Sequence, residues 1–188
     1  MDGLHHLKIK RAAHCLWQGG VIAYPTEAVW GLGCDPFDEQ AVRRLLTIKR
    51  RGIDKGLILV AADIHQLESY LRGLSAKQRK KLRSNWPGPL TWLVPDNGYA
   101  PKWITGRHKT LALRVSKHPI VESLCLAFGG PIVSTSANPQ NKAPALNALA
   151  VRQYFRNQLD FITPGSVGGQ TKPSEIRELL TGEIKRPG

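Results

Sequence analysis

The chain has 188 residues, 41% of them hydrophobic, which suits one domain with a sizeable core. Its 27 Lys and Arg against 14 Asp and Glu leave a net charge of +13, favouring polyanionic partners, whether nucleotides or nucleic acid. The longest uncharged apolar stretch, Gly56 to Ala62, cannot span a bilayer and the N-terminus lacks an apolar signal core, so a cytoplasmic location is expected. Cys15, Cys34 and Cys125, widely spaced and without C-x-x-C, read as reduced thiols and imply no zinc site.

Apolar residues at helical spacing predict a helix over Leu7 to Trp17, stopped at Gly19-Gly20. Val21 to Tyr24 reads as a short strand, and residues 25–37, rich in Gly, Pro and Thr, as a working loop. Asp38 caps a helix reaching about Lys49 on an Ala41, Val42, Leu45, Leu46, Ile48 face. Leu57 to Ala61 is the clearest buried strand, and Asp63 opens a helix to about Leu71. Ser75 starts a very basic helix that Trp86-Pro87-Gly88-Pro89 stops, and Leu90 to Val94 follows as a strand. Thr110 to Val115 is a strand, Pro119 to Phe128 a helix, and Ile132-Val133 a strand. A helix near 146–155 and short strands near 160–163, 175–177 and 183–186 complete an α/β chain with a mixed sheet in a single domain, 1–188.

Two islands carry the chemistry. Lys49-Arg50-Arg51 with Lys55 follows a helix C-terminus, where the dipole favours cations in any protein. Gly52 and Gly56, however, bracket this cluster and let the backbone approach a ligand, and the like charges repel unless an anion sits among them. Ser134-Thr135-Ser136-Ala137-Asn138 suits a turn or cap, but stands where a strand would end, and ligands of α/β sheets bind there. Cations beside hydroxyl and backbone donors are what a nucleoside triphosphate requires, although no phosphate loop or dinucleotide fingerprint is present. Thr26 and Glu27 follow the first strand, and the Glu either holds a cation or substrate amine or pairs with an Arg. Arg114 lies within an apolar strand, where a buried guanidinium needs a carboxylate or phosphate and an exposed one does not. His118, before Pro119, reads as a helix cap rather than a general base.

Tyr24 to Gly33 resembles the P-T-E-[TA]-V-[YF]-G-[LV]-G segment of the YrdC/TsaC family, and Lys49-Arg50-Arg51 with Ser136-Ala137-Asn138 resembles its K-x-R and S-x-N signatures. Trp86 to Thr91, Leu113-Arg114-Val115 with His118-Pro119, and Arg186-Pro187-Gly188 also fit, in order, from about residue 10 to the end. The resemblance is to short bacterial members without the extra C-terminal domain of longer relatives. It implies a twisted, open sheet with flanking helices and a basic concave face that holds the nucleotide. The implied enzyme is a nucleotidyltransferase acting in tRNA processing. L-threonine, bicarbonate and ATP give threonylcarbamoyl-adenylate and pyrophosphate, with Mg2+ accompanying the triphosphate and partner proteins receiving the adenylate.

On that resemblance Lys49, Arg51 and Lys55 contact phosphates, Ser134, Ser136 and Asn138 line the nucleotide, and Arg186 and Thr110 help hold it. Thr26, Arg114 and Ser174 form the threonine pocket. Two departures stand out: Gly52 replaces a usual Pro, which implies a more mobile loop, and Pro139 to Lys142 replaces Ser-Gly. The competing readings are a double-stranded-RNA-binding or ribosome-maturation factor, using the basic face, and a paralogue with another acceptor.

Overall fold

The computed structural model describes residues 3–188, with side chains from His6 onward, so Met1 and Asp2 of the expected domain lie outside the described residues. Local capping chemistry sets most helix ends. Helix α1 (Gly3–Trp17) closes at Gly19, whose φ of +75 few side chains adopt. In α2 (Glu39–Lys49) the Asp38 carboxylate accepts from the Ala41 amide at 3.0 Å, as expected. Ser75 and Gln78 form a reciprocal capping box at α3 (Ala76–Arg83). A single turn, α4 (Lys102–Thr105), follows Pro101. At α5 (Pro119–Phe128) the His118 ring accepts from the Ile120 amide, so His118 is the cap the sequence suggests. Asn147 caps α6 (Ala148–Phe155).

The helix expected after Asp63 is instead a 3₁₀ segment, His65–Leu71. The Asp63 carboxylate takes the His65 and Gln66 amides at 2.7 and 3.2 Å, and the tight i→i+3 turn continues with Leu67 N–H to Ile64 C=O.

Among the described residues nine strands form one mixed sheet: β1 (Ile22–Pro25), β2 (Trp30–Gly33), β3 (Ile58–Ala61), β4 (Leu90–Pro95), β5 (Thr110–Val115), β6 (Ile132–Ser136), β7 (Phe161–Ile162), β8 (Glu175–Glu178) and β9 (Ile184–Arg186). Their order is β7-β1-β2-β6-β3-β5-β4-β8-β9. Strand β2 lies where the sequence reads as loop, because Trp30-Gly31-Leu32-Gly33 has low strand propensity but pairs on both sides, with β1 and β6. Strand β6 also runs on through Ser134 to Ser136, where Ser134 pairs with Ile58 and Ser136 with Gly31.

Alternation divides the sheet into two faces. Leu59, Ala61, Trp92, Val94, Leu111, Leu113 and Val133 point into the main core under α2, α3 and the 3₁₀ segment. On the other face Ile22, Tyr24, Val60 and Ile132 pack against Ile9, Ala12 and Leu16 of α1 and Ile120, Val121 and Leu124 of α5. Those two helices cover only part of that face. Register carries it onward from Val60 to Ile58, from Ile132 to Ser134 and Ser136, and from Arg114 to Ala112 and Thr110, beyond the packing of α1 and α5.

The segment from Thr163 to Ser174 links β7 at one edge to β8 near the other, with six strands between them. Strands ~4.8 Å apart put these ends about 34 Å apart on a flat sheet. The chain between Ile162 and Glu175 reaches roughly 45 Å fully extended. It therefore spans the sheet with about a quarter of its reach to spare. The Gly168 amide donates to Thr26 C=O at 2.9 Å and the Gln170 amide to Glu27 C=O at 3.1 Å. A Cβ at Gly168 would stand 2.9 Å from Glu27 O, so only glycine permits this approach.

Candidate functional site

The uncovered half-face is the floor of a cavity of about 470 Å³, lined by Gly31, Ile58, Ala112, Thr110, Arg114, Ser134 and Ser136 from the strands. Thr26, Ala28 and Val29 form one wall, Arg51, Lys55 and Gly56 another, and Gln170, Pro173, Ser174 and Arg186 close the third side. This volume suits a small-molecule ligand. Its strand contribution follows from alternation: beside Ile58 and Arg114, the small Gly31, Ala112, Ser134, Ser136 and Thr110 leave room at the open positions, where Val60, Ile132 and Ile22 fill the covered half.

Of the sequence-expected residues, Thr26, Arg51, Lys55, Thr110, Arg114, Ser134, Ser136, Ser174 and Arg186 line this one cavity. Lys49 and Asn138 lie behind its wall. The Lys49 ammonium donates to the Ser136 carbonyl, to Asn138 C=O at 3.0 Å and more distantly to Asn138 Oδ1. These contacts use all three of its donors. Burial, then the neighbouring Arg51 charge, pushes its pKa down to about 8. Asn138 Oδ1 accepts from Ser136 Oγ at 2.6 Å and its amide donates to Lys142 C=O at 2.7 Å, so the Pro139 to Lys142 turn is part of this brace. The two islands do meet, through the end of α2 holding the end of β6.

Arg51 Nη2 donates to Gly56 C=O at 3.0 Å, which folds the 51–56 loop around the guanidinium, and burial lowers its pKa. On the opposite side Arg114 Nε donates to Gly88 C=O at 3.2 Å. Its Nη2 lies 2.8 Å from Glu27 Oε1, an ion pair out of line for a hydrogen bond. Of the two sequence alternatives for Glu27, pairing with an Arg is the one realised. Ser116 Oγ and the Lys117 amide also donate to Oε1, at 2.7 and 3.2 Å. Burial raises the Glu27 pKa, but Arg114, Ser116 and the backbone outweigh it and hold the carboxyl below its usual range. Arg186 Nη2 donates to Ser174 C=O at 2.6 Å, and Ser174 Oγ shares a 2.9 Å hydrogen bond with Thr91. Burial and the proximity of Arg114 lower the Arg186 pKa, so two guanidinium groups approach one end of the cavity.

Gly31, Thr105, His108, Gln170 and Lys185 also line the cavity and were not singled out from the sequence. Only the period-two continuation of β2 and the late strands could have flagged some of them. The described residues include no group of three or more His, Cys, Asp or Glu able to hold a metal. The cysteines are unpaired, with Cys34 and Cys125 buried.

An α/β sheet whose open half-face gathers guanidinium, ammonium and hydroxyl groups in one cavity presents the kinds of donor that anionic groups require. Residues 14–188 match the Sua5/YciO/YrdC family model, described as telomere recombination, and the chain belongs to that family. A threonylcarbamoyl-AMP synthase of Cellvibrio japonicus is 57% identical over 180 residues, covering 96% of this chain and 95% of its own length. Among solved structures, P. abyssi Sua5 complexed with L-threonine superposes with a TM-score of 0.91 at 32% identity over 97% of this chain. The match covers 54% of that longer protein. E. coli YciO is 26% identical over 97% of this chain and 90% of its own, with a TM-score of 0.85.

Proposed function

We propose that the chain catalyses threonylcarbamoyl-AMP formation from L-threonine, bicarbonate and ATP, releasing pyrophosphate, as one domain over residues 1–188. The observation that carries this reading is the single cavity with Arg51 and Lys55 at one side and Arg114 with Arg186 at the other. Such spacing of cations suits a triphosphate and a separate carboxylate. The similarity to threonylcarbamoyl-AMP synthases along nearly the whole chain supports it.

In this reading Arg51 and Lys55 neutralise the phosphates, and Thr110, Ser134, Ser136 and Arg186 orient the nucleotide. Lys49 and Asn138 act from behind the wall, fixing the carbonyl and hydroxyl edge at Ser136 and adding positive potential. Arg114 takes the threonine carboxylate, with Thr26 and Ser174 beside it. The neutral threonine amine condenses with bicarbonate to a carbamate and water. A carbamate oxygen then attacks the α-phosphorus and pyrophosphate leaves. The step needs in-line positioning and charge neutralisation, which this site supplies without a general base. Among the described residues no acidic cluster fits a resident Mg2+, since Glu27 is committed to Arg114; the ion would arrive on the phosphates as part of the nucleotide substrate. The adenylate would pass to partner proteins of tRNA modification in the cytoplasm, and RNA contact would fall to the exposed cations Lys77, Lys80 and Arg83 of α3.

Pyrophosphate release by the purified protein with ATP, Mg2+ and bicarbonate tests the proposal. Release that requires both L-threonine and bicarbonate supports it. Release stimulated by another amine in place of threonine would identify a paralogue with a different acceptor. ATP-independent, salt-sensitive RNA binding with no turnover would favour the RNA-binding reading.

A further inference from the structure

Glu27 has no place among the cavity-lining residues, yet it is 8% exposed and one of its oxygens gathers three partners from β5 and the turn after it. Arg114 Nη2, Ser116 Oγ and the Lys117 amide converge on Oε1 at 2.8, 2.7 and 3.2 Å. The backbone of the same residue receives the Gln170 amide at 3.1 Å, fastening the crossing segment that brings Gln170 and Ser174 to the cavity.

Arg114 itself extends from a strand position whose neighbour on β3 is Val60 and whose face continues into the apolar packing of α1 and α5. Without Glu27 its guanidinium has one protein anchor, the Nε bond to Gly88 C=O at 3.2 Å. A long side chain held at one point keeps much of its rotamer freedom and loses it on binding. It also lies near Arg186, so the pair would repel without a fixed anion between β5 and the 25–29 turn. The ion pair buries Nη2 against Glu27 and so fixes the charge and position of a side chain that lines the cavity.

We infer that Glu27 is a positioning residue for the amino-acid carboxylate: fixed by Ser116 and the Lys117 amide, it aims the Arg114 guanidinium into the cavity. This rests on Arg114 being the carboxylate receptor, as proposed above. Glu27 touches no substrate. Its effect passes through Arg114 and therefore concerns threonine, whereas the nucleotide phosphates lie with Arg51 and Lys55.

Steady-state kinetics of Glu27→Gln, Arg114→Gln and the double variant, with threonine and ATP varied separately, test the inference. The Gln side chain keeps an acceptor for Ser116 and Lys117 but removes the charge that holds Arg114. The expected result is a rise of about tenfold in the threonine KM for Glu27→Gln, with the ATP KM within about twofold of the parent. The double variant should be no worse than Arg114→Gln alone, since the two residues act as one unit. Ser116→Ala, which alters no charge, should raise the threonine KM by about threefold, and it carries the test should Glu27→Gln fail to fold.

An unchanged threonine KM in folded Glu27→Gln or Ser116→Ala, while Arg114→Gln raises it, would overturn the positioning role and leave the Arg114 assignment intact. Equal rises in both KM values would likewise overturn it, pointing to general loosening of the site. An Arg114→Gln variant with normal threonine KM would overturn both readings.

Discussion

The Lys49 ammonium and the Ser136 backbone carbonyl are in direct contact, tying the last residue of α2 to the last residue of β6. A buried cation thus holds the edge of the cavity rather than lining it. Its depressed pKa, about 8, records the cost of that burial.

Lys49 should make stability climb with alkaline pH. The unfolded chain keeps this proton up to the ordinary lysine range near 10.5, whereas the folded protein releases it near 8. Between those values the unfolded state binds more protons, so folding gains stability as pH rises. Urea melts from pH 7.5 to 10 should show this gain in the parent and not in Lys49→Met. ATP affinity should move the other way, weakening above pH 8 as the charge is lost, while bound phosphate draws the pKa upward.

Arg51 and Cys34 should separate activity from stability. Arg51→Ala removes a cavity guanidinium and should reduce adenylate formation by at least ~100-fold with little change in Tm. Cys34 is fully buried in the main core, and burial raises its thiol pKa, so it is an inert packing group. Cys34→Ser buries a hydroxyl, costing about 1–3 kcal/mol and roughly 2–4 °C of Tm for each kcal/mol, with kcat unchanged. Thermal melts and turnover of the two variants check both halves.

The two glycines of β2 should respond differently to alanine. A Cβ at Gly33 would stand 2.5 Å from the Val133 carbonyl oxygen and 2.8 Å from Tyr24, and the backbone contact cannot yield. Gly33→Ala should cost about 3 kcal/mol or prevent folding. At Gly31 the nearest atoms, of Thr26 and Tyr24, are at 3.4 Å, an ordinary contact. Gly31→Ala should fold and instead weaken substrate binding by narrowing the cavity floor. Denaturant midpoints and KM values distinguish the pair.

Gly52 should accept the proline it stands in for. Its φ is −66, the value proline imposes, and its amide has no acceptor among the described residues. A Cβ there meets only the Asp54 carboxylate oxygen, the end of an exposed side chain that can turn away. Gly52→Pro should stabilise by about 0.4–1 kcal/mol through the unfolded state, measured by urea melts, and tighten ATP binding by stiffening the 51–56 loop.

The sequence made the helices legible where a cap and an apolar stripe coincide, as at Asp38 with α2 and His118 with α5. It misled at His65–Leu71, where the same apolar spacing serves a 3₁₀ segment because Asp63 draws in two consecutive amides. Strand β2 escaped notice because its glycines carry no strand preference; partners on both sides, β1 and β6, define it. Family motifs named nine residues that share one cavity, but not depth: Lys49 and Asn138 sit behind the wall, and Glu27 behind Arg114. Depth depends on which strand neighbours which, and a linear motif does not carry that order.

The segment from Thr163 to Ser174 spans six strands with about a quarter of its full reach to spare, which makes it a tether of limited length. One edge of the sheet is thereby gauged against the other. The separation between the 25–29 turn and Arg186 is thus bounded by a residue count as well as by the strands beneath. Lengthening the tether by a few glycines would leave the cores of both faces whole and put the two sides of the cavity out of step.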